Sequence, residues 1–105
     1  MLNPRTEPLK KVLASDLHDE VAWFGLGTAY RDDGRCEDAA TALQQCVTVT
    51  PTSSATHFAL AHSLHGLSRL DKCRTVIPAG IEVSLQKGNL LVTRNLEALK
   101  PPLSS

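Results

Sequence analysis

Trp23-Phe24-Gly25-Leu26-Gly27-Thr28-Ala29-Tyr30 is answered thirty-four residues later by His57-Phe58-Ala59-Leu60-Ala61-His62-Ser63-Leu64. Phe24 falls against Phe58 and Leu26 against Leu60. At the same offset Arg35 meets Arg69, Glu37 meets Asp71, Leu43 meets Ile77 and Val49 meets Val83. Self-similarity at such a period marks stacked supersecondary units, because one unit cannot bury its apolar face alone. The repeat therefore sets the architecture before any local propensity is weighed.

Local reading supplies the elements of each unit. Val21, Phe24, Leu26 and Tyr30 follow helical spacing, and Asp32-Asp33-Gly34 is a stop and a turn. From Glu37 to Val49 the residues Ala39, Ala42, Leu43, Cys46 and Val47 form one stripe, closed by Thr50-Pro51, where the residue before proline disfavours further helix. Ser53 or Ser54 caps a third segment carrying Phe58, Leu60, Ala61 and Leu64 as far as Gly66. A fourth begins at Asp71, with Val76, Ile77, Gly80, Ile81 and Leu85 expected inward, and ends at Lys87-Gly88-Asn89. Pro78 lies inside it, and a proline cannot donate to the carbonyl four residues back, so a bend or a break is expected between Arg74 and Pro78.

The flanks extend this pattern. Leu9, Val12 and Leu13 share a face between Glu7 and Ser15, at the spacing of the second helix of a preceding unit. Past Gly88, Asn89 is the expected N-cap of an amphipathic segment containing Leu90, Leu91, Arg94, Leu96, Leu99 and Lys100, stopped by Pro101-Pro102. Leu103-Ser104-Ser105 is expected to fray. Six helices amount to three hairpins, the number a helical stack needs, so the expectation is a complete small solenoid.

Trp23, Leu26, Gly27, Tyr30, Ala39 and Pro51 match the tetratricopeptide pattern W-x-x-L-G-x-x-Y, A-x-x-x-F, P, with Leu43 where Phe is usual. The chain thus resembles the tetratricopeptide repeat family. The second copy keeps the apolar spacing with His57 for Trp, Ala61 for Gly and Leu64 for Tyr. The resemblance implies an all-α, tetratricopeptide-type helical-hairpin solenoid of about six antiparallel helices in a single domain. Its expected parts are a half repeat over 1–19, repeats over 20–53 and 54–87, a capping helix over 88–100 and a tail over 101–105.

The resemblance also implies a concave groove lined by the first helix of each repeat. The matching positions are Val21, Phe24, Thr28, Arg31 and Asp32, then Ala55, Phe58, His62, His65 and Gly66. Of these Val21, Phe24, Thr28, Arg31, Phe58, His62 and His65 are the expected partner-binding residues. Phe24 and Phe58 offer two apolar anchors one repeat apart, the kind of residue that carries much of an interface energy; alternatively both rings pack between the first helices. Some relatives hold the carboxylate tail of chaperones with a Lys and Asn clamp. Here Phe24, Thr28, Phe58, Ala59 and His62 stand at those places, so an apolar or helical segment is the expected ligand.

Composition narrows the function classes. The 105 residues are 42% apolar and 21% charged, in the range of a folded domain, and eleven basic side chains balance eleven acidic ones. That balance lacks the electrostatic excess with which most nucleic-acid binders meet phosphate. No apolar run is long enough for a membrane span, and Met1 to Pro8 lacks the features of a secretory signal, so the expectation is a cytoplasmic protein whose partner is another protein or peptide. A self-assembling structural protein is the alternative, and a homo-oligomer is compatible with both.

Chemistry has little support. Cys36, Cys46 and Cys73 are odd in number with no C-x-x-C pair, and their register suggests small core hydrophobes. His57 takes the place of Trp23 as a half-buried packing residue, while His62 and His65 face the groove; a zinc site would need further ligands. Asp19-Glu20 and Asp32-Asp33 sit at helix ends, where acids are ordinary. No nucleophile elbow, zinc-protease or phosphate-loop motif is present, so neither catalysis nor a cofactor is expected, and a thiol- or metal-dependent enzyme is a remote third reading.

Overall fold

A computed structural model describes residues 4–100; the Pro101-Pro102 stop and the tail to Ser105 lie outside the described residues. Within them are six helices and no strand: α1 (Thr6–Ser15), α2 (Glu20–Asp32), α3 (Cys36–Val49), α4 (Ser54–Gly66), α5 (Leu70–Gln86) and α6 (Leu90–Ala98). Each packs on the next along the chain, and α6 also reaches back to α4.

The helix ends follow from short-range chemistry. The Asp19 carboxylate accepts the Ala22 N–H at 3.1 Å, and Ser53 Oγ accepts the Thr56 N–H at 3.3 Å, each satisfying a first-turn donor that has no helical partner. α2 closes through Gly34 at φ +75°, with Arg35 N–H donating to the Tyr30 carbonyl at 2.8 Å. One period on, α4 closes identically, with Arg69 N–H on the Leu64 carbonyl at 2.9 Å, yet the left-handed residue there is Ser68, at φ +58°. α5 ends on Gly88 at φ +68°.

Two apolar clusters share α3. Ala39 and Ala42 join Leu13, Ala22, Leu26 and Tyr30 on one side, with Leu9 and Trp23 against them. Ala40 and Leu43 join Leu60, Leu64, Cys73, Ile77 and Leu96 on the other. Close approach is made possible by small residues: a Cβ on Gly27 would lie 2.7 Å from Leu43 Cγ, and one on Gly80 2.8 Å from His57 Cβ.

Several expectations change. α5 runs through Pro78 as one helix, so of the two expected outcomes, a bend or a break, the break does not occur, and Pro78 is exposed. Leu85, expected inward, is 55% exposed because Ile77, Gly80 and Ser84 take the buried stripe. Asn89 does not cap α6 with its side chain, which donates instead to Ser54 Oγ at 3.2 Å, tying α6 to the start of α4. Cys36 is half-buried rather than a core residue, while Cys46 and Cys73 are buried. His57 is fully rather than half buried, its Nδ1–H donating to the Ser53 carbonyl at 2.8 Å.

Candidate functional site

The site is built on α2 and α4. Their first turns are brought side by side by the repeat, with α3 beneath, and a pocket of about 340 Å³ opens between them, lined by Glu20, Val21, Phe24, Cys46, Ser53, Ala55 and Thr56. Val21 is 75% exposed, an unusual degree for a branched apolar side chain on a helix that buries four others, Ala22, Leu26, Ala29 and Tyr30. It also borders a second depression of about 400 Å³, formed with Pro4, Arg5, Pro8, Leu9 and Gly25. Val21 is thus a ridge between two apolar hollows.

The expected binding residues divide into three groups. Val21 and Phe24 meet in the α2–α4 pocket. Phe58 and His62 form a second pair, with ring centroids 5.9 Å apart and planes inclined at 49°. Thr28, Arg31 and His65 are joined to neither: Arg31 and His65 are exposed, and the Thr28 hydroxyl donates to the Phe24 carbonyl at 2.7 Å, so it is occupied by its own helix. Phe24 and Phe58 are both half-buried against the larger apolar cluster. Each ring is therefore neither wholly buried between helices nor wholly exposed.

Glu20, Ser53 and Thr56 were not anticipated at the pocket. The first two flank helix starts, and only the folding of the Thr50–Ser53 turn brings Ser53 beside α2. A signal existed in the offset alignment, which pairs the caps Asp19 and Ser53 and so brings both first turns to one end of the site. The polar edge is internally bonded: Ser53 Oγ and Thr56 Oγ1 lie 2.9 Å apart.

Cys46 forms the floor. Its Sγ–H donates to the Glu20 carbonyl at 3.4 Å and lies 3.7 Å from Thr56 Oγ1. Burial pushes the thiol pKa up, against a lowering by the Thr56 hydrogen bond, and the nearby Glu20 carboxylate raises it further. Cys73, which donates to the Ala61 carbonyl at 3.8 Å, is likewise raised by burial and by Asp71. Nucleophilic use calls for the opposite shift, a thiolate favoured by nearby positive charge. Among the described residues no three His, Cys, Asp or Glu side chains converge as a metal site would require.

The comparisons bear on type rather than ligand. No family model matches the chain. Over 49 residues it is 45% identical to a "TPR repeat-containing protein" of Pseudomonas aeruginosa, a likeness covering 47% of this chain and 47% of that one, about half the length of each. No described helix is long and apolar enough to cross a membrane.

Proposed function

From the premise that the chain is of tetratricopeptide type, we propose that it is a protein-interaction module, an adaptor or scaffold that binds a peptide or helical segment of a partner along α2 and α4. One observation carries this reading: Val21, the most exposed large apolar side chain among the described residues, stands over a pocket whose other walls include the apolar Phe24 and Ala55. An apolar side chain of the ligand would enter there, where desolvation of Val21 and the free face of Phe24 supplies binding energy. His62, beside Phe58, and the exposed Arg31 and His65 would meet polar groups farther along the same helices. The role needs no catalytic group, and a cytoplasmic setting suits three unpaired thiols.

The test begins with peptides selected from a random library on the folded chain. Val21→Glu and Ala55→Glu change exposed positions, so thermal stability should move little, while a charge at the pocket mouth should weaken the selected peptides at least about tenfold. Unchanged affinity in both variants would place the binding surface elsewhere.

A further inference from the structure

The joint that α2, α3 and α4 make in the middle of the molecule is present at its two ends, with one part of it at each end. The starts of α2, α4 and α6 align on Asp19, Ser53 and Asn89, which places Leu91 at the position of Val21 and Ala55. Burial supports that register, since Leu96 falls on the buried Leu60 and Leu26, and Thr93 on the buried His57. At the other end, the thirty-four-residue offset places α1 on α3, so that Leu9 corresponds to Leu43 and Val12 to Cys46. In the middle of the molecule, Glu20 and Val21 of α2, Cys46 of α3 and Ala55 of α4 bound one pocket. The corresponding residues are Leu90 and Leu91 of α6, Val12 of α1 and Val21 of α2.

Those four are 67%, 66%, 42% and 75% exposed, and they are four of the six large apolar side chains left exposed among the described residues. Within residues 4–100 no helix pairs with α6 as α3 pairs with α2, and none precedes α1 as α2 precedes α3. We propose that the chain associates head to tail with further copies of itself, α6 of one copy lying against α1 and α2 of the next in the position that α2 holds against α3 and α4.

Charge agrees with this occupant. Glu97 stands at the position of Gly27, whose nearest neighbours across the helix pair are the Leu43 side chain and the Ala39 carbonyl. The counterparts of Leu43 and Ala39 are Leu9 and Arg5, so the Glu97 carboxylate of one copy faces the Arg5 guanidinium of the next. A glutamate needs more room than a glycine, so α6 stands farther from α1 than α2 does from α3, and the ion pair fills the gap. Arg5 reaches Asp32 at 3.0 Å in the single chain and is exposed enough to turn to a second carboxylate. The interface joins two different surfaces, so it does not close at two copies but continues into a ring or a helical filament.

Sedimentation velocity on the 105-residue chain tests this. Its weight-average mass should rise with concentration past that of a dimer. Leu91→Glu and Val12→Glu keep a good helix former at exposed positions; each should keep its helical circular dichroism and weaken self-association at least about tenfold, because each spoils one end. An equimolar mixture of the two should form a dimer and stop there, one sound joint remaining per pair. If Val12→Glu loses helicity, Arg5→Glu takes its place; paired with Glu97→Arg in one chain, it should regain the association that either change alone removes. All these variants leave the residues that line the α2–α4 pocket unchanged; Val21 borders both the pocket and the joint, so weakening the joint should leave peptide capture by the dissociated chain equal or stronger, and failure to capture any peptide would count against the pocket and not against the joint. A chain monomeric up to its solubility limit, growth that halts at the dimer in the unaltered chain, or variants that fail to complement on mixing would overturn the proposal.

Discussion

The two repeats reach one geometry with different residues. In the first, Gly27 lets α3 approach α2, Gly34 supplies the left-handed turn, and Arg35 lies over the Tyr30 ring at 4.8 Å while pairing with Asp38. In the second, Ala61 and Ser68 take those places, Leu64 offers no ring to Arg69, and Arg69 pairs with Glu37 at the start of α3. The tight contact also moves: it is Gly80 of α5, against His57 and Leu96, that accommodates close packing. What the repeat preserves is which helices pair, while the residues that permit close packing differ in the two copies.

That comparison can be broken most forcefully in the core. Leu43 and Ile77 are equivalent and both nearly inaccessible, so Leu43→Ala and Ile77→Ala should each cost about 2–5 kcal/mol in denaturant unfolding. If either costs less than about 1 kcal/mol, the two positions are not equivalent in packing. The close approach comes next. Gly27→Ala puts a methyl 2.7 Å from Leu43 and should cost about 1–3 kcal/mol through overpacking, whereas Ala61→Gly should cost only about 1 kcal/mol, the helix-propensity difference. Equal effects would mean that the two helix pairs are spaced alike.

The turns provide a smaller effect with opposite signs. Ser68 holds a left-handed backbone that disfavours a side chain, so Ser68→Gly should stabilise by about 1 kcal/mol and Gly34→Ser should destabilise by a similar amount. A destabilising Ser68→Gly would show that the serine side chain compensates for its backbone. The thiols give the smallest effect. Burial holds Cys46 and Cys73 above their ordinary value of 9.0, so the neutral thiol belongs to the folded state. The stability they contribute is present below the unfolded pKa and is lost as pH rises through the folded one. Thermal stability should therefore fall above about pH 9, less steeply in Cys46→Ala, and Cys36 should react with thiol reagents before the other two.

Much of the fold was legible because its signals are local or periodic. Asp19, Ser53, Gly34 and Pro51 mark helix ends by backbone chemistry that needs no tertiary partner, and both ends of α2 and α3 and the start of α4 fall within a few residues of those marks. Where tertiary partners decide, the sequence misled. Asn89 looks like a cap but turns to Ser54, and Leu85 continues an apolar stripe that α6 does not cover. Ser68 has no intrinsic left-handed preference and takes that backbone because the repeat requires it. The site divides in the same manner. Val21 and Phe24 are placed at the groove by the family resemblance, whereas the presence of Ser53 and Thr56 at the pocket depends on how the Thr50–Ser53 turn folds against α2. The half-buried state of both phenylalanines also means that Phe24→Ala would lower stability and binding together, so Val21 is the cleaner probe.

The account's central claim is that the ligand lies on α2 and α4, and backbone amide shift mapping tests it most directly. Titrating a library-selected peptide into isotopically labelled chain should move the amides around Val21, Phe24, Ala55 and His62 together and with one saturation curve. Shifts confined to the exposed faces of α3 and α5, or to α1 and α6 with α2 and α4 unmoved, would contradict it.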